Sequence, residues 1–65
     1  MHTVSFSRGQ FKVNRMVLFV TLNKFLSADL ARELSYAQSG SFEVTEAYVV
    51  AQMLEDIGLI VEVSR

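Results

Sequence analysis

Cysteine and proline are both absent from the chain, and histidine occurs once. Without cysteine there is no disulfide staple and no thiolate to hold a metal, so a domain of 65 residues depends on apolar packing. The same absence suits a reducing compartment, and a cytoplasmic location is expected. No proline-rich or low-complexity tract and no internal repeat interrupts the chain, so residues 1–65 form a single domain. Acidic residues are missing from the entire first part: none precedes Asp29.

What is abundant is apolar surface, with 51% hydrophobic residues. A chain this short buries only roughly 60% of the surface its unfolded form exposes. Some apolar area is therefore expected outside, seeking another protein or a second copy. The net charge of −1 hides an asymmetry. Arg8, Lys12, Arg15 and Lys24 stand before any acid, whereas seven acids follow against only Arg32 and Arg65. Such a basic third either meets phosphates or an acidic partner, or it is neutralised by the acidic remainder within the fold.

The densest apolar run lies in Asn14–Leu26, NRMVLFVTLNKFL. It is too short to span a membrane, and Asn23 and Lys24 interrupt it. Arg8, Lys12 and Arg15 before it and Ser27-Ala28 after it have some likeness to a signal peptide, but Lys24 and the short remainder count against that. As a helix capped by Asn14, the run places Leu18, Phe19, Leu22, Phe25 and Leu26 on one face and leaves Met16, Val17 and Val20 outside it. As a strand it is apolar on both faces, which needs burial on both sides.

The flanking elements are plainer. Thr3-Val4-Ser5-Phe6-Ser7 alternates as a strand burying Val4 and Phe6, and Arg8-Gly9-Gln10 turns. Ser27 suits an N-cap, with Leu30, Ala31, Leu34 and Ala37 as the buried stripe and Asp29, Arg32, Glu33 and Tyr36 facing out. Ser39-Gly40 ends that helix and Ser41–Val44 is a short strand. Thr45 caps a helix from Glu46 to Ile57 that buries Ala47, Val50, Ala51, Leu54 and Ile57. Gly58 follows in the C′ position, and Leu59–Val63 is a last strand burying Leu59, Val61 and Val63. The order strand-helix-helix-strand-helix-strand predicts a small α+β two-layer sandwich, a three-stranded sheet covered by three helices.

No constellation of catalytic residues emerges. His2 is expected at a mobile terminus without converging partners, the carboxylates are spread over solvent-facing positions, and the serines serve turns and caps. Gly9, Gly40 and Gly58 are too far apart for a phosphate cradle. An enzyme is not expected, nor is a cofactor or metal.

The element order and the phrase Glu46–Val63, EAYVVAQMLEDIGLIVEV, resemble the C-terminal domain of the bacterial ribosomal stalk protein L7/L12. Leu30-Ala31-Arg32-Glu33-Leu34 resembles the second helix of that family, and the protease adaptor ClpS is similar in order. The resemblance implies a fold that binds proteins through its helical face. Where the stalk family has basic residues on its first helix, this chain has Val17 and Val20, and Arg32 keeps its charge on the second.

The expectation is thus a protein-binding module, a small adaptor, inhibitor or regulatory protein, docking through its first two helices. Met16, Val17, Val20, Lys24, Arg32 and Tyr36 are the candidate contacts, Tyr48 is a further exposed aromatic, and Arg8, Lys12 and Arg15 are a possible anion contact. The alternative is a DNA-binding regulator. In a ribbon-helix-helix, Arg15–Leu22 would be the ribbon, but its apolar residues are poor readers of a groove. A winged helix gains from LEDIGLIVEV, residues 54–63, but lacks a basic recognition helix.

Overall fold

In the computed structural model, which describes residues 1–9 and 12–64, the alternating N-terminal segment forms strand β1, His2–Arg8. It pairs antiparallel with both β2, Ser39–Val44, and β3, Leu59–Ser64, giving the sheet order β2-β1-β3. Val4 stands opposite Phe42 and Val63, and Phe6 opposite Gly40 and Val61, so one face of the sheet is apolar. The other face carries Ser5 opposite Ser41 and Glu62, and Thr3 opposite Glu43. A sheet with one greasy and one hydroxyl-bearing face takes helices on one side only.

Three helices supply that layer: α1, Arg15–Asn23, α2, Ala28–Tyr36, and α3, Ala47–Asp56. The element order is β1-α1-α2-β2-α3-β3, the α+β arrangement that the hydrophobic periodicity predicts. Both outer strands run antiparallel to β1 and so parallel to each other, which obliges α3 to cross over β1 between them. Val50 and Leu54 of α3, Leu18 and Leu22 of α1, and Val4 of β1 are fully buried at the centre.

The central apolar run is therefore a helix, and a ribbon-helix-helix architecture, which needs Arg15–Leu22 as a strand, is not the one adopted. A winged helix is also set aside, because β3 pairs with β1 and not in a hairpin with β2. Asn14 caps α1 as expected, its side-chain oxygen accepting from the amides of Met16 (2.8 Å) and Val17 (3.3 Å). The buried stripe differs from the expectation. It runs through Leu18, Thr21 and Leu22, with Phe19, Phe25 and Leu26 only partly buried at its flanks. Thr21 tolerates burial because its hydroxyl donates to the Val17 carbonyl one turn back, at 2.8 Å.

The same device operates in α2. Ser27 caps it, accepting from Leu30 N, but the buried positions are Ala31, Leu34 and Ser35. Ser35 donates to Arg32 O at 2.7 Å, whereas Leu30, expected inside, is 38% exposed and Ala37 is the C-cap residue. Two boundaries also move. Ser39 and Gly40 belong to β2, where a Cβ on Gly40 would stand 2.7 Å from Leu34 Cδ2 and 3.3 Å from the Phe6 ring. The missing side chain lets α2 approach the sheet. Thr45 does not cap α3; Glu46 occupies that position without a side-chain bond.

Gly58 closes α3 with φ 104°, the left-handed conformation expected of a C′ residue, and Leu59 is buried behind it. His2, expected at a mobile terminus, is the first residue of β1 opposite Val44. No helix among the described residues is long and apolar enough to cross a membrane.

Leu54 lies at the contact of α3 with the sheet, and truncating it leaves a cavity that short neighbouring elements cannot refill. Leu54→Ala is expected to cost about 3 kcal/mol, a large share of the stability of a domain this size. Urea denaturation followed by circular dichroism checks this; a loss well below 1 kcal/mol would contradict the packing described.

Candidate functional site

Nine residues of helix can turn only one stripe inward, and α1 has more apolar residues than one stripe holds. With Leu18 and Leu22 buried, Met16, Val17 and Val20 are left 55%, 45% and 53% exposed. They lie within one helical turn of one another and, with Thr21, line an open depression of about 270 Å³. Lys24, one further turn along from Val20 and exposed, closes the C-terminal end of this strip.

A second depression of about 190 Å³ adjoins the first and shares Met16 with it. Its other walls are Arg15 and Phe19 from α1 and Arg32 and Tyr36 from α2. The start of α1 meets the end of α2 here, so the two helices pack antiparallel across the short turn after Asn23. Arg15 lies with its guanidinium carbon 4.3 Å from the centre of the Tyr36 ring, a cation–π stack that fixes both side chains at the rim. Arg32 is 3.6 Å from Asp29, with 61% and 94% of the two side chains exposed, so that pair is weakly held and open to exchange.

The structure thus gathers Met16, Val17, Val20, Arg32 and Tyr36 on one continuous surface, with Lys24 at its end. The three residues expected to contact an anion have different surroundings. Lys12 is exposed and Arg15 joins the surface just described. Arg8 turns inward. Its Nε donates to Ala37 O (3.0 Å), one terminal nitrogen to Ser35 O (2.6 Å) and the other to Val13 O (3.3 Å). The Arg8 amide also donates to Gln38 O at 3.0 Å. These bonds tie the end of β1 to the segment joining α2 and β2 and to the stretch before α1.

Phe19, expected on the buried face, is only partly buried: it packs against the core and also lines the second depression with Arg15 and Met16. Tyr48 packs edge-on against His2, with ring centres 5.8 Å apart, and lines neither depression. Among the described residues, no group of three or more His, Cys, Asp or Glu side chains is placed to hold a metal ion. Comparison with protein-family models, curated proteins and solved structures finds no match to this chain.

Arg8 and Arg15 carry the same charge but have different surroundings, and substitution separates them. Arg8→Lys cannot span three carbonyls and is expected to lose about 1–3 kcal/mol of stability. Arg15→Lys, at the surface, is expected to lose under about 1 kcal/mol. Equal losses in chemical denaturation would refute the structural assignment of Arg8.

Proposed function

We propose that this chain is a non-enzymatic protein-binding module, a small adaptor, inhibitor or regulatory protein, that docks a partner through α1 and α2. The observation that carries the reading is the continuous exposed strip of Met16, Val17 and Val20 beside the Arg15–Tyr36 stack. Singly scattered apolar residues are ordinary on a protein surface; a contiguous patch framed by an aromatic ring and arginines has the composition of an interface. The resemblance to the stalk-protein and ClpS folds supports the same reading, because those folds present proteins with a helical face. A DNA-binding role is the weaker alternative: α3 carries no lysine or arginine, and the exposed face of α1 is floored by methionine and valine.

A double substitution, Val17→Lys with Val20→Lys, places two charges on the strip at exposed positions and is expected to leave the fold intact. Capture from the native host with the full chain should yield a partner protein with wild type and lose it with the variant. Undiminished capture of the same partner, with the variant's circular dichroism spectrum unchanged, would refute this docking face.

A further inference from the structure

We propose that the partner element received by this face is an acidic amphipathic helix, a segment whose apolar stripe is bordered by glutamate or aspartate. The inference rests on the docking role proposed above and adds the chemistry of what docks. The apolar floor supplies half of the argument. Met16, Val17 and Val20 recur at the spacing of one helix face and offer the ridge-and-groove surface that a second helix fits with anchors three or four residues apart.

The rim supplies the other half. The charged residues lining the two depressions are Arg15 and Arg32, and Lys24 stands at the far end of the strip. α1 contains no acid; on α2, Glu33 lines neither depression, and Asp29 faces Arg32 at 3.6 Å in an exposed pair that a partner carboxylate can exchange with. A helix of nine residues rises about 13 Å, so cations mark both ends of a strip that two or three turns of a partner helix would cover. Arg15 lies over the Tyr36 ring with one terminal nitrogen 3.7 Å from Met16 Sδ, and a partner carboxylate, a far stronger acceptor than a thioether, displaces that contact.

Charge also decides against a second copy using the same face. Two α1 helices related by a two-fold axis would bring Arg15 against Lys24 if antiparallel, or each against its own copy if parallel. Either arrangement sets like charges opposite one another at both ends of the contact. Nucleic acid fits poorly for a different reason: the methionine and valine floor has no donor for a phosphate or a base edge.

The test is a selection on the full chain from displayed helical peptides of about 18 residues, long enough to cover α1 with a turn to spare. Each carries a fixed leucine stripe, and every flanking position is drawn equally from Glu, Lys and Ala. Binders are expected to be enriched in Glu over Lys beside the stripe. For a selected peptide, Arg15→Glu with Arg32→Glu should raise Kd about tenfold to a hundredfold and favour Lys-flanked peptides instead. Circular dichroism checks that the variants fold. Binding that is lost in the Val17→Lys, Val20→Lys chain but shows no preference for Glu would overturn the acidic partner and leave the docking face standing. Binding indifferent to those valine substitutions, or no binders at all, would overturn both. An oligomer in sedimentation that the valine substitutions dissolve, or a DNA duplex that competes for the face, would overturn the acidic helix in favour of that occupant.

Discussion

β1 occupies the middle of a sheet that has only one apolar face, and the remaining elements follow from that. Because only the face bearing Val4, Phe6 and Phe42 is apolar, the two connections pass over the same side of the sheet. Val4 and Phe6 are the floor on which they rest. α3 takes the place directly over β1 and β3, while α1 packs chiefly against α2 and α3. A helix supported by other helices has one face inward, and the rest of its circumference meets solvent. That α1 has an outward face follows from where β1 sits; that Met16, Val17 and Val20 occupy it follows from which side chains, Leu18, Thr21 and Leu22, turn inward.

Arginine shows how differently one residue type is used within so small a frame. Arg8, at the end of β1, spends its donors on the carbonyls of Ser35, Ala37 and Val13, and so ties β1 to the stretch just before α1 and to the distant end of α2. Arg15 stacks on Tyr36 and Arg32 sits loosely by Asp29. A basic first third is therefore not one surface. One of its cations is structural and belongs with the turn chemistry of the fold, and the others face outward.

Periodicity and turn residues made the element order legible. Alternation announced β1, Gly58 announced the end of α3, and Asn14 and Ser27 announced the starts of α1 and α2. The stripes within the helices were less legible, for a physical reason. Leu30 and Phe19 looked more buriable than Ser35 and Thr21, because hydrophobicity assumes that a hydroxyl needs water. Here each hydroxyl donates to its own helix, to Arg32 O and Val17 O, and so packs as a small apolar group. That rotates both helices by part of a turn relative to the apolar count. Thr45 misled in the opposite sense, since its cap chemistry is sound but the helix begins one residue later than it would require. Of the candidate surface, the leftover valines and methionine were visible as surplus apolar residues, whereas the Arg15–Tyr36 stack joins residues 21 positions apart and exists only once α1 and α2 are antiparallel.

Val17 and Val20 make a poor choice for a solvated helix face. β-branched residues lose side-chain freedom against the preceding turn, and each is less favourable to helix than alanine, glutamate or lysine by a few tenths of a kcal/mol. Exposed as they are, they gain little burial in the isolated chain to offset that cost. Elsewhere the molecule follows the ordinary pattern, with Asp29, Arg32 and Glu33 on the wet side of α2 and Gln52, Glu55 and Asp56 on that of α3. Tyr48 and Val49 on α3 and Ile60 on β3 are exposed too, but none of them lines the two depressions. On α1 three such residues share one side, next to a stacked arginine. Residues that neither favour the helix nor keep its surface soluble have a physical rationale when a second surface covers them, and a stiff, β-branched side chain then loses little further freedom on being covered.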